Sequence, residues 1–343
     1  MSTVAEVERT IEKLPSEPLA ETRNWLSRRR RPATFEDRAA KLKAGSPPPR
    51  SATRRAFLQT LLATAGFAQL RALADPFIGK RPSASVPGLI DVNVNLSRWP
   101  LRRLRFDDTP ALVAKLRSHQ VAQAWAGSFD GLLHKDLASA NARLAEDCRR
   151  HGRGLLVPFG SINPKLPDWE EDLRRCVEVH RMPGIRLHPN YHGYKLDDPD
   201  FARLLRRATE RHLMIQLALI MEDERMMHPL LRVEPVEPAP LADLVQRTPG
   251  LRLVLLNALG KLRGQPLHDL LAAGEVSAEI SMLEGVGGVA NLLAQVPVER
   301  MLFGSHAPLF YFESARLKLD ESPLTKAQLQ AIGRANAKRL ASL

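Results

Sequence analysis

Cysteine is almost absent from this chain: two residues, Cys148 and Cys176, in 343. They form no CxxC pair and no zinc spacing, which excludes a cysteine-built metal site. Each falls within an amphipathic helical stretch, where a buried, inert thiol is expected, and spacing leaves a disulfide between them open. No GxGxxG follows the first strand-like run, so the main dinucleotide-binding signal is missing. No apolar run reaches the roughly 20 residues that span a bilayer. The basic residues of the chain body are not gathered with exposed aromatics or a reading motif, which argues against a nucleic-acid partner.

What is present is a basic excess, and its distribution is uneven. The formal charge is +12, yet residues 1–74 hold fourteen Lys and Arg against seven Asp and Glu. More than half of the excess therefore sits in an N-terminal extension, and net charge mainly speaks to solubility. Within residues 1–52, Val4, Val7, Ile11 and Leu14 recur at helical spacing until Pro15. The stretch VAEVERTIEKLPSEPLAETRNWL is similar to the N-terminal helices of small antitoxin-type proteins. A Pro-rich linker, AGSPPPRS, follows at 44–51. Residues 53–74 resemble a twin-arginine export signal: Arg54-Arg55 precede Phe57-Leu58, an apolar run extends to Leu70, and Ala72-Leu73-Ala74 fits a small-x-small cleavage site. That resemblance implies the twin-arginine machinery as a partner and an exported, periplasmic protein, membrane-tethered if the signal is not cleaved.

Residues 75–343 read as one domain. Short, near-continuous apolar runs alternate with amphipathic helical stretches, as expected of parallel strands buried on both faces. The runs lie at Leu89–Asn95, Ala122–Ala126, Gly154–Phe159, Gly184–His188, Leu213–Leu219, Leu251–Leu256, Val276–Ile280 and Arg300–Phe303. Eight such units predict an α/β fold closed as a (β/α)8 TIM barrel. In that fold the active site lies at the C-terminal strand ends. Here those ends carry Asn93 and Asn95, Arg186 and His188, Gln216, Asn257, Glu284 and His306.

These strand ends resemble the amidohydrolase superfamily, over roughly residues 88–341. Asp91-Val92-Asn93-Val94-Asn95 stands where the family has DxHxH. GIRLHP (184–189) falls at strand four. RMLFGSHAP (300–308) stands in place of FGSDxP, and Asn336–Leu340 (NAKRL) is similar to the family's terminal NAxRLL. The resemblance implies a hydrolase of a C–N or C–O bond of a small molecule, or a decarboxylase, with a divalent metal that activates water. Each family ligand is replaced: Asn93 and Asn95 on strand one, Gln216 or Ala218 on strand five, Asn257 on strand six and His306 on strand eight. Amides are poor zinc ligands. They are also costly to bury unpaired, which suggests that the barrel mouth still holds something polar.

Three readings remain open. In the first, His188, His228, Glu284 and His306 form a relocated divalent-metal site, with Asp223 as a further carboxylate. In the second, the enzyme works without metal: His306 is the general acid or base, and Asn93, Asn95 and Asn257 donate to an oxyanion. Arg186 or Arg225, with Gln216, would then hold a substrate carboxylate. The third is a non-catalytic barrel that binds a small molecule or carbohydrate, with Trp99 and Trp125 available to stack. The charged, Pro-rich segment Met221–Pro240 suits a lid over the mouth or a contact in a homo-oligomer.

Overall fold

The computed structural model describes Val86 and residues 88–343. The N-terminal extension, the linker and the twin-arginine segment lie outside the described residues. Eight parallel strands follow one another in chain order: β1 (Leu89–Leu96), β2 (Val121–Ser128), β3 (Leu156–Ser161), β4 (Gly184–Leu187), β5 (Met214–Ala218), β6 (Arg252–Leu256), β7 (Glu275–Glu279) and β8 (Met301–Leu302). The chain closes the cylinder by bringing the end of β8 back to β1. Val92 N donates to Phe303 O at 2.9 Å and Asn95 N to Ala307 O at 2.8 Å. Val94 also forms a parallel bridge with Ala307. The (β/α)8 barrel expected from the sequence is therefore present.

Around it run α1 (Thr109–Ser118), α2 (Asp130–Leu133), α3 (Leu137–Asp147), α4 (Trp169–Glu178), α5 (Pro189–His192) and α6 (Pro199–Glu210). The second half adds α7 (Leu241–Gln246), α8 (Gly264–Ala272), α9 (Gly288–Leu293), α10 (Phe312–Asp320), α11 (Lys326–Gln330) and α12 (Asn336–Ser342). Local capping explains several starts. Asp108 accepts from Ala111 N, Asp136 from Ser139 N and Asp198 from Asp200 N, each satisfying an amide that the helix leaves free. The four-residue helices α2 and α5 were not legible from periodicity, because one turn carries no repeat.

Alternation along the strands sorts apolar side chains into two layers. Ile185, Ile215, Leu217, Leu253, Leu255, Val276 and Ala278 face outward and pack with Leu112, Leu144, Leu173, Leu204 and Leu267 of the helices. Ile90, Val92, Trp125, Phe159, Met214, Val254, Leu256 and Leu302 fill the barrel. Ala337 and Leu340 of α12 join that interior cluster. Cys148 and Cys176 are buried and unpaired. Burial pushes both thiols up to about 12, so they stay protonated and inert.

Candidate functional site

At the C-terminal end of the barrel the apolar interior gives way to polar side chains. β1 makes this change by a shift in phase. Its pairing with β2 is irregular between Asp91 and Val94. Ile90 and Val92 face the interior below the irregularity, Val94 packs in the outer layer, and Asn93 and Asn95 reach the interior network above it. A strict two-residue repeat would not place all four inside.

Two knots of hydrogen bonds fill the space. One is built on Arg186 of β4, whose side chain is fully buried. Its Nε donates to Gln216 Oε1 at 2.8 Å, and Nη1 donates to Val94 O (2.8 Å) and Asn95 Oδ1 (2.9 Å). Nη2 donates to Trp125 O (2.9 Å) and Val92 O (3.4 Å). All five N–H donors of the guanidinium are thus taken. Burial pushes Arg186 down to about 9, against the pull of Asp91 and Glu279, so it remains a cation at neutral pH. Gly127 of β2 makes room for it: a Cβ there would lie 2.7 Å from Arg186 Cδ.

The other knot is built on Glu279 of β7, buried and surrounded by donors. It accepts from Asn257 N (2.6 Å), Asn93 Nδ2 (3.1 Å), Ser281 N (2.5 Å) and the Ser281 hydroxyl (2.7 Å). Asn93 Nδ2 also donates to Asn257 Oδ1 at 2.8 Å, and Asn257 Nδ2 donates to Ile220 O at 2.8 Å. Gly304 admits this carboxylate, since a Cβ would lie 2.4 Å from Glu279 Oε2. Sequence reading missed Glu279 because it sits inside an apolar run. The available signal was Ser277 and Glu279 alternating on the inner face of β7.

His306 joins the knots. Its Nε2 lies 2.8 Å from Met221 O and its Nδ1 3.4 Å from Asn95 Nδ2, which makes Nε2 the protonated nitrogen of a neutral ring. Burial pushes the imidazole down to about 4; the Met221 carbonyl opposes this and the Arg186 charge adds to it. His188 is held well below its ordinary range by burial, then by His192, Arg186 and His306. Both its ring nitrogens, Asn93 Oδ1, Asp91 Oδ2 and Trp99 Nε1 are buried without a hydrogen-bond partner. Asp91 accepts from Ser305 N and Asn93 N, and burial raises it to about 7. Asn257 and His306 both have φ of +57°, the left-handed region that side chains other than glycine enter at a cost.

The structure therefore brings together Asn93, Asn95, Arg186, His188, Gln216, Asn257 and His306. It does not bring Arg225, His228 or Glu284 to them. The Arg225 side chain is 84% exposed and pairs with Asp223. His228 Nδ1 accepts from Leu230 N in the loop after β5. Glu284 pairs with Arg263 at the surface. The relocated metal set is thus not assembled, and among the described residues no three His, Cys, Asp or Glu side chains gather as ligands. Of the residues at the family's ligand positions, Asn93 alone keeps a free oxygen, too few donors to hold a divalent ion. Asn95 and Gln216 spend their oxygens on Arg186, Asn257 Oδ1 accepts from Asn93, and His306 has both nitrogens engaged. A fixed guanidinium beside them adds like-charge repulsion. Trp99 packs edge-on against Phe129, Trp125 stacks on Phe159, and both indoles are 2% exposed, which removes them as a sugar platform.

The segment after β5 closes the mouth. Ile220, Met221 and Glu222 are buried over the knots, and Glu222 pairs with Arg102, whereas Met226 and Leu230 beyond them are exposed. Beside this cap a cavity of about 810 Å³ opens on the C-terminal face, among the segments that follow β5, β6, β7 and β8. Ile220 and Ser281 belong both to its wall and to the Glu279 knot, so the cavity borders the network directly.

A closed barrel with its polar side chains gathered at the C-terminal strand ends defines the class of α/β-barrel enzymes and their relatives. Residues 90–341 match the amidohydrolase family pattern, and the chain belongs to that family. No curated protein matches it in sequence. Among solved structures it is similar to 2,6-dihydroxybenzoate decarboxylase from Rhizobium, at 15% identity and a TM-score of 0.59, over 75% of this chain and 99% of that one. It is also similar to 5-carboxyvanillate decarboxylase from Novosphingobium aromaticivorans, complexed with manganese and 4-hydroxy-3-methoxy-5-nitrobenzoic acid. There the identity is 12%, the TM-score 0.59, and the match covers 76% of this chain and 97% of that one. A dihydroxybenzoic acid decarboxylase from a Polaromonas species, with bound manganese and 2-nitroresorcinol, matches at 14% identity and a TM-score of 0.57, over 75% and 98% of the two chains. At such identities the likeness establishes the fold.

Proposed function

We propose that this amidohydrolase-family protein binds a small organic molecule in the rim cavity without a metal, and that its barrel centre is a scaffold rather than a reaction centre. The observation that carries this reading is Arg186, a buried cation with all five donors spent, lying among the residues that replace the family's metal ligands. The cavity has a size usual for ligand sites, a few hundred to about 1,000 Å³, and lies at the rim where barrels of this kind bind substrates. Two of the neighbours named above hold substituted aromatic compounds, and a molecule of that size fits a cavity of about 810 Å³.

The test is a thermal-shift screen of full-length protein against small aromatic acids, alcohols and aldehydes, with a hydrolysis and decarboxylation panel run in excess Mn²⁺. A ligand at 100 times its Kd adds about 2.7 kcal/mol, roughly 5–10 °C for a domain of this size. We expect such a shift for at least one compound and no turnover above blank. Manganese-dependent turnover that disappears in Asn93→Ala would overturn the proposal.

A second reading, a metal-free hydrolase or decarboxylase with His306 as acid–base group, draws support from the left-handed backbone at His306 and Asn257. It requires the Met221 carbonyl to leave His306 Nε2. Turnover without metal, lost in His306→Ala, would favour it.

A further inference from the structure

The cavity beside the amide network contains an amine with no ionic partner. Lys318 of α10 is half-buried in its wall, and its Nζ donates to the carbonyl of Ser281. Among the described residues it makes no ion pair. Most charges around it at the mouth are paired with one another, Arg225 with Asp223, Lys261 with Glu224, and Arg263 with Glu284, while Glu321 shares the cavity wall with it. Apolar side chains complete the wall, including Met282, Leu283, Phe310 and the exposed Val286 and Leu317.

We propose that Lys318 is a covalent capture site, whose amine condenses with the aldehyde or ketone carbonyl of a small, aromatic-sized molecule held in this cavity. The inference rests on the cavity being the ligand site, and adds the chemical class. Burial holds the amine below its ordinary range, although Glu279, Glu321 and Glu284 act the other way. A desolvated lysine in an apolar pocket is the form of that residue that serves as a nucleophile. The same carboxylates disfavour an anionic ligand, whereas a neutral carbonyl compound meets no such repulsion. The Ser281 carbonyl holds one N–H and so fixes the direction of the nitrogen.

The step balances without a further reagent. The ammonium first gives one proton to solvent. The nitrogen lone pair then forms a bond to the carbonyl carbon, giving a carbinolamine. The carbonyl oxygen leaves as water, taking the two remaining amine hydrogens, and a C=N bond is left.

Full-length protein is incubated with benzaldehyde or acetophenone and sodium cyanoborohydride near neutral pH, and the adduct is located by peptide mass mapping. We expect a single reduced adduct at Lys318, formed at least about tenfold faster than at any other lysine. Lys318→Arg keeps a donor for Ser281 and is expected to lose the adduct while melting as the parent does. Benzyl alcohol, which fits the space and cannot condense, is expected to slow labelling. Labelling spread over Lys261, Lys326 and Lys338, or unchanged in Lys318→Arg, would overturn the inference. Absence of any adduct would do the same. A thermal shift with benzyl alcohol but no adduct at Lys318 would leave the cavity reading standing and remove the carbonyl class. Neither shift nor adduct would remove both.

Discussion

Replacing Arg186 by methionine is expected to lower the unfolding free energy by about 3–5 kcal/mol, the range for breaking a buried charged network by removing one partner. Methionine retains much of the aliphatic volume but none of the five donors. The carbonyls of Val94 and Trp125 then lose a buried charged donor, as do Asn95 Oδ1 and Gln216 Oε1, while Val92 O keeps Gln216 Nε2 at 2.8 Å. Each buried acceptor left unpaired costs about 1–3 kcal/mol, less where an amide can turn to a new partner. For a domain of this size the loss corresponds to a fall in Tm of roughly 6–20 °C. Arg225→Ala is the control, since that guanidinium lies at the surface paired only with Asp223, and it is expected to leave the melting curve unchanged. Equal, small effects at both positions in urea or thermal unfolding would show that Arg186 is not held as described.

The second large effect is in the pH dependence of stability. Burial raises Asp91 from 3.8 to about 7, opposed by its bonds to Ser305 and Asn93 and assisted by Glu279. Its contribution to stability is fully present below about pH 4 and is lost as pH rises through about 7. His306 has the opposite sign. Its ring is pushed from 6.5 to about 4, so its contribution is present above pH 6.5 and is lost as pH falls through about 4. In the wild type the two slopes oppose each other across that window. Asn at position 91 keeps the Oδ1 acceptor for Ser305 and Asn93 but cannot ionise. Asp91→Asn should therefore gain on the wild type by about 4 kcal/mol between pH 4 and pH 8, because each tenfold change in proton affinity is worth about 1.36 kcal/mol. The variant's own stability should rise through the acid range as the histidines lose their protons. Parallel wild-type and variant profiles would mean that Asp91 titrates alike in the folded and unfolded chain.

The fold was legible because parallel strands buried on both faces are written as short apolar runs. All eight lie within two residues of their expected ends. The gathering of Asn93, Asn95, Arg186, Gln216, Asn257 and His306 was legible for a related reason: in a closed barrel, strand ends share one rim. What these groups do to one another was not legible. Sequence places an amide at a strand end, but does not say whether its oxygen faces a ligand or a neighbour. Here Asn95 and Gln216 turn to Arg186, and Asn257 turns to Asn93 and Ile220. The irregularity in β1 also escapes a reading based on a two-residue repeat. Arg225, His228 and Glu284 follow strands closely in sequence, which suggests a place at the rim. Their loops carry them away from the network, and Arg225 and Glu284 reach the wall of the rim cavity, paired with Asp223 and Arg263. Lys318 is not legible as a site residue, because it lies late in a helix, a position that usually means solvent.

The most direct test of a barrel centre filled by its own side chains is elemental analysis of the cleanly folded protein. It should be purified without chelator from cells grown with added manganese and zinc, and run beside Asn93→Ala and His306→Ala. We expect metal far below one atom per chain in all three, and a melting temperature indifferent to EDTA. One equivalent of a divalent metal in the wild type, absent from both variants, would contradict the account.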